Sequence, residues 1–296
     1  MKILVTGGNG YVGSNYIQTL VVQGVNIDNI TIYDFPSNIL DEYLLESQIK
    51  EHDIIVHFAA IADLYDSANN PDLNFEVNVR GTYNIAKFCN KYNKFLIYIS
   101  TCCVYGNADD YELGYVDEKS YPMTNELYAS TKLAGENIIR GFTDLNWSIW
   151  RIGTNFGINM RPSLFTYIAL DCVKNNKTIK IHGDGQQTRN LIYIDDLCHG
   201  MYLITEEIMT NYLTSKSNKQ IFNICGEEKI SVLNCIKIAE KIFNKKADYI
   251  FVEDRQGQIL KENIGIYKIK KYFGYKPKYC FYDAMFYIRH YDTRFK

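Results

Sequence analysis

The chain has 296 residues, 47% of them hydrophobic and 22% charged, with 32 basic side chains against 34 acidic ones and a formal net charge of -2. That is ordinary globular composition, enough for one large domain or two modest ones at roughly 100 to 200 residues each, and it leaves no basic excess for a nucleic-acid partner. The opening residues are too polar for a secretory signal core, and the longest mainly apolar stretch, 54–62, is interrupted by His57, so a cytoplasmic protein without a membrane partner is expected.

In chain order, β-branched runs over 2–5, 30–33, 53–57, 95–100 and 147–151 read as strands with few polar interruptions, as strands covered on both faces do. Between them, 12–22, 73–90 and 127–142 carry helical periodicity. Repeated strand and helix units predict an α/β fold with a doubly wound parallel Rossmann sheet and right-handed crossovers. After about residue 156 the alternation weakens, and a loop-rich segment runs to 189. Helices over 195–207 and 232–243 follow, then a lysine-rich stretch over 267–278. The reading divides the chain into an NAD-binding domain over 1–155, to which 192–225 return, and a smaller C-terminal α/β substrate-binding lobe made of 156–191 and 226–296. The eight cysteines are scattered without a CxxC pair, which argues against a metal site and predicts reduced thiols.

The first strand runs into Thr6-Gly7-Gly8-Asn9-Gly10-Tyr11-Val12-Gly13 and then a helix. This GxxGxxG spacing differs from GxGxxG in the turn but keeps its physics: glycines let backbone N–H groups approach a pyrophosphate, and the helix N-terminus adds its positive dipole end. Gly7, Gly10, Tyr11, Val12 and Gly13 are thus the expected cofactor contacts. Asp34 closes the second strand about 20 residues after Gly13, where an acid accepts hydrogen bonds from the adenosine ribose and repels a 2'-phosphate, so NAD is expected over NADP. Asp53, opening the third strand, is read as a contact to the adenine edge or else a surface cap.

Tyr128 and Lys132 stand four residues apart in Glu126-Leu127-Tyr128-Ala129-Ser130-Thr131-Lys132, so a helix puts both on one face. A tyrosine near its reference pKa of about 10 is a poor base at neutral pH, and a neighbouring ammonium together with a positive nicotinamide would favour phenolate. The strand ending in Ser100-Thr101 opens at the carboxyl edge of the sheet, where Thr101 is expected to hydrogen-bond the substrate oxygen that Tyr128 protonates.

With these residues assembled, the chain resembles the extended short-chain dehydrogenase/reductase family, in its nucleotide-sugar epimerase and dehydratase branch. The likeness runs through Thr6 to Gly13, His57-Phe58-Ala59-Ala60, Asn78-Val79-Arg80-Gly81-Thr82, Ile99-Ser100-Thr101-Cys102-Cys103-Val104-Tyr105-Gly106, and Tyr128 with Lys132. It continues through the RxxNxxG-like stretch from Arg151 to Gly157, the GDGxQxRxxxYxxD-like stretch from Gly183 to Asp196, and Arg255-Gln256-Gly257. The resemblance implies that Ala59, Ala60, Asn78 and Ser100 line the NAD site, that Asn155 contacts the sugar nucleotide, that Arg189 and Arg255 bind its diphosphate, and that the protein is a homodimer. Family dehydratases and decarboxylases carry carboxylates just after the threonine, where this chain has Cys102 and Cys103, so elimination and decarboxylation are not expected. Cys103 matches the cysteine base of GDP-fucose synthase-like epimerase/reductases, but the histidine acid of those enzymes has no counterpart in 160–170. Thr154 stands where the family usually has asparagine, and Gly265 where it commonly has aspartate. The leading expectation is a 4-epimerase acting through transient oxidation at C4. A 4-ketoreductase, 4-dehydrogenase or epimerase/reductase of a deoxysugar nucleotide, and a non-catalytic NAD-binding protein, are the alternatives.

Overall fold

The computed structural model describes residues 1–255 and 257–296, without the side chains of Leu64 and Tyr65. Six strands, β1 (Ile3–Thr6), β2 (Ile30–Tyr33), β3 (Ile54–His57), β4 (Phe95–Thr101), β5 (Asn146–Ile152) and β6 (Gln220–Ile224), form one parallel sheet in the order β6-β5-β4-β3-β1-β2. Because strand side chains alternate between faces, Ile3, Val5, Ile54, Val56 and Ile97 enter one core while Leu4, Ile55, Leu96 and Tyr98 enter the other. Both faces are therefore covered, which accounts for the near-continuous apolar runs of β1, β3 and β4.

The chain passes from β1 outward to β2 and then back across β1 to β3, so the strand order reverses between β1 and β3. Ligands of open α/β sheets bind outside the carboxyl ends of the strands at such a reversal. Helix α1 (Tyr11–Val22) leaves this edge directly after β1. Helix α2 (Leu127–Gly141) carries Tyr128 and Lys132 back across the sheet. Helix α3 (Ile194–Thr210) packs on α1, and β6 extends the sheet beside β5. The remaining C-terminal segments make small two-stranded units: Ile179–His182 with Tyr249–Val252, and Thr188–Asn190 with Lys229–Ser231.

Three helical segments are among the departures from the sequence expectation. The helix expected over 73–90 is broken: an α turn at Pro71–Phe75 passes through a π-helical turn at Glu76–Gly81 before Thr82–Lys91 resumes α geometry. The π turn carries Asn78, and wide turns of this kind commonly occur at functional sites. The segment read as loop-rich contains the helix Phe165–Asn175, and the C-terminal stretch contains the helix Phe281–Tyr291. Both are apolar or aromatic on several faces, so neither shows a clean polar side. No helix among the described residues is long and apolar enough to cross a membrane.

Candidate active site

The glycine turn is shaped by close backbone approach. Gly7 has φ 71°, and a Cβ there would lie 2.6 Å from the Ala59 nitrogen. A Cβ on Gly13 would lie 2.4 Å from the Gly7 carbonyl oxygen, so only glycine lets α1 start this near the turn. Gly10 is the extended residue that begins α1, and no acid occupies the first turn of that helix, which leaves its N–H groups and positive end to an anion. Val12 packs against the core. Tyr11 contributes backbone to the turn, while its buried hydroxyl has no hydrogen-bond partner among the described residues and lies where a Cβ on Gly157 would come within 2.8 Å. Asp34 ends β2 facing this turn, its two oxygens accepting from the amides of Asn9 and Phe35 at 2.8 Å each. Ala59 and Ala60 follow β3 on the same edge, Ala59 against Gly7. A cradle that any side chain would fill, a helix N-terminus and an acid at the end of the second strand together fit a dinucleotide.

Asp53 does not belong to this site. It precedes β3 at the amino edge of the sheet, where its carboxylate accepts from the Lys2 amide at 2.8 Å. In a parallel sheet that edge lies a strand length, roughly 13 Å, from the carboxyl ends, so the adenine contact is corrected to a cap on the start of β1. Two other side chains are turned inward. Asn78 donates to the Ile61 carbonyl and Thr131 Oγ1 at 3.1 Å each and accepts from the Ile61 amide at 2.9 Å, so it fixes the loop after β3 against α2. Ser100 donates to Glu136 at 2.6 Å, which leaves only its backbone to line the cleft. His57 lies buried between the hydroxyls of Thr6 (2.8 Å) and Thr82 (3.0 Å), and its burial holds its pKa well below the ordinary value, so it is neutral.

At the end of β4, Thr101 Oγ1 accepts from the Cys103 amide at 3.1 Å, which keeps its own O–H free to donate toward Tyr128. Burial pushes the Tyr128 phenol up, Cys103 and Glu126 add to this, and Arg161 and Thr101 oppose it. Lys132 is not among the largest influences on this phenol. Lys132 is 2% exposed, its Nζ stands 4.1 Å over the Tyr98 ring, and desolvation lowers its pKa to about 7 against the pull of Glu136. Glu136 is itself held by Arg151 through two bonds of 2.9 and 2.6 Å, and Arg151 also donates to Tyr105 Oη at 2.8 Å. Sequence reading missed this buried network because neither Glu136 nor Arg151 stands in a spacing that distinguishes a core pair from surface charges.

On the substrate side, Asn155 is half-buried, donates to the Gly153 carbonyl at 3.4 Å and lies in a short strand paired with Ile192. Arg189 donates from Nη1 to the carbonyls of Thr188 (2.9 Å) and Ile259 (2.7 Å), and its Nε stands 3.5 Å from Glu262. That leaves Nη2 as its outward donor. Arg255 is exposed on the loop after Tyr249–Val252, with its amide on Asp254; Gln256 of the same motif lies outside the described residues. Burial pushes the Cys103 thiol up to about 12, so it is not a base at neutral pH, and Cys102 donates to the Arg151 carbonyl at 3.2 Å. Glu126, directly before α2, and the buried Glu262 are acids of this region that the sequence reading passed over. The only local signal for Glu126 was its place two residues ahead of Tyr128.

A Rossmann sheet with a dinucleotide cradle at its reversal point and a Thr/Tyr/Lys group on the same edge defines a dehydrogenase-type active site. The model of the NAD dependent epimerase/dehydratase family matches residues 3–225, and the chain belongs to that family; it is an NAD-dependent enzyme. It is 25% identical to the UDP-glucose 4-epimerase of Bacillus subtilis, over 94% of this chain and 93% of that one. It is 24% identical to a dTDP-glucose 4,6-dehydratase of Mycolicibacterium smegmatis, over 96% and 90%. Among solved structures, the UDP-glucuronic acid 4-epimerase of Bacillus cereus, in complex with UDP-glucuronic acid and NAD, superposes with a TM-score of 0.84 at 25% identity, covering 96% of each chain.

Proposed function

We propose that this protein is a nucleotide-sugar 4-epimerase that oxidises C4 transiently and reduces it from the other face. The observation that carries the reading is the grouping of Thr101, Tyr128 and Lys132 at a carboxyl edge whose next two residues are protonated thiols. Elimination of water needs an acid and a base where Cys102 and Cys103 stand; inversion at C4 needs neither. Bound NAD supplies the hydride acceptor and donor. Thr101 orients the C4 oxygen, Tyr128 takes its proton and returns it, and Lys132 stands on the same face of the helix as the phenol. Gly7, Gly10, Gly13 and Asp34 hold the dinucleotide, and Asn155, Arg189 and Arg255 hold the sugar nucleotide, with charge-assisted bonds from the arginines to its phosphates. The domain limits of 1–155 with 192–225, against 156–191 and 226–296, follow the same division of labour. Eight free thiols suit a reducing, cytoplasmic location, and the exposed Leu73, Phe75 and Tyr83 suit a homodimer face.

The test is turnover of UDP- and dTDP-hexoses without added cofactor. An epimerase interconverts the C4 isomers catalytically on its retained NAD, whereas a ketoreductase stops after one equivalent. Tyr128→Phe should bind NAD unchanged and lose about 10² to 10⁴ in kcat. A Tyr128→Phe enzyme keeping more than about half of wild-type kcat would remove the phenol from the mechanism.

A further inference from the structure

One acid near the reacting phenol is left without a task. Glu126 immediately precedes α2, and its Oε1 is buried with no hydrogen-bond partner among the described residues. An unpaired buried acceptor is costly, more so when charged, and a bound ligand that donates to it removes that cost. Its backbone is held from the other side of the cleft: Gly257 has φ 73°, and a Cβ there would lie 3.0 Å from the Asn125 carbonyl oxygen, so the arginine loop closes on the residue before Glu126. Glu126 acts on Tyr128 and Cys103, and Arg189 acts on it. In the 4-epimerase reading, on which this inference rests, Tyr128 marks C4 of the sugar and Arg189 the diphosphate. An acid electrostatically coupled to both belongs, in that reading, beside the hexose ring between them.

We propose that Glu126 is a specificity-determining residue that accepts a hydrogen bond from the sugar and selects nucleotide-linked neutral hexoses over uronic acids. A sugar hydroxyl can donate to the orphan oxygen. A uronate carboxylate has no proton to donate and meets a like charge. Arg189 offsets that repulsion poorly, because its Nη1 and Nε are already held by two carbonyls and Glu262. Burial raises the Glu126 carboxyl to about 7, with Arg189 and the Ala129 amide opposing. Among the described residues, the charged or titratable groups coupled to it are Tyr128 on α2, Cys103 after β4 and Arg189 on Thr188–Asn190. Below that pH a protonated Glu126 can itself donate to a uronate; above it the charge excludes one. Discrimination should therefore sharpen as pH rises.

Calorimetry on the NAD-loaded protein with UDP-glucose and UDP-glucuronate at pH 6 and pH 8 tests this. The wild type should favour UDP-glucose by about tenfold or more at pH 8 and by clearly less at pH 6. Glu126→Gln, which keeps the shape, and Glu126→Ser should each bring the ratio within about threefold at both pH values, chiefly by tightening the uronate. Equal binding of the two sugars by the wild type, a ratio unchanged in both variants, or no binding of either nucleotide overturns the proposal. The preference is read from binding alone, so the expected ratios with no C4-inverted product would support this role of Glu126 while overturning the epimerase reading.

Discussion

Removing Arg151 should cost this protein much of its stability, and the structure gives the reason and the size. Glu136 is 0% exposed and Arg151 2%, and the guanidinium meets the carboxylate through a two-bond fork of 2.9 and 2.6 Å. With Arg151→Met, Glu136 keeps only the Ser100 hydroxyl at 2.6 Å, and Tyr105 loses a donor at 2.8 Å. Breaking a buried pair from one side costs about 3–5 kcal/mol, because the remaining charge has lost its solvent and its partner. Against a usual total of about 5–15 kcal/mol this is a large fraction. Urea unfolding followed by tryptophan fluorescence is the assay, since Trp150 is 0% exposed beside the substituted residue. With m about 3 kcal/mol/M, the midpoint should fall by about 1–2 M. Arg151→Met combined with Glu136→Met removes both charges, so it should cost less than the sum of the single changes by about 2 kcal/mol or more. A single variant losing under about 1 kcal/mol, or singles that simply add, would refute a coupled buried pair.

Two further outcomes follow from the cofactor side of the site. NAD should bind at least about tenfold more tightly than NADP, and Asp34→Ala should narrow the gap by weakening NAD; equal or reversed affinities in the wild type, read by calorimetry, would remove Asp34 from the ribose. Lys132, lowered to about 7 in the folded apo protein, holds fewer protons there than in the unfolded chain between about pH 7 and 10.5, so its share of stability should rise with pH through that window. The slope is at most about 1.4 kcal/mol per pH unit, and it should vanish in Lys132→Met; urea midpoints of both proteins from pH 7 to 9.5 measure it, and parallel curves would contradict the lowered value.

The sheet was legible because burial on both faces writes itself into consecutive residues. Ile54–His57 and Phe95–Thr101 are buried at every position, so their apolar runs needed no partner to be recognised. The helix Phe165–Asn175 was not legible for a related reason: Tyr167, Ile168 and Cys172 pack against the core as well as the fully buried Ala169, Leu170 and Val173, which blurs the helical period. The π turn at Glu76–Gly81 was hidden by a continuous helical pattern, since only the tertiary demand that Asn78 reach both Ile61 and Thr131 widens it.

The same contrast decides which site residues could be read. Gly7, Gly10 and Gly13 share one strand-turn-helix junction, and Tyr128 and Lys132 a single helix, so local spacing was enough to bring each set together. Asp53 was misplaced although chain direction was available: it precedes β3 at the amino edge, and the cleft lies at the carboxyl edge. The Ser100 side chain is turned from the cleft by parity, and there too the information was present. Alternation puts Ser100 in the row of Leu96 and Tyr98, and Tyr98 Oη reaches the Lys132 carbonyl at 3.2 Å while Ser100 reaches Glu136 at 2.6 Å, both on α2. Thr101 is one step further, at the strand's last residue, where its amide-bound Oγ1 turns to Tyr128. A serine and a threonine side by side at a strand end thus divide two tasks, one anchoring the helix that carries Tyr128 and Lys132 and the other meeting the phenol that the helix delivers.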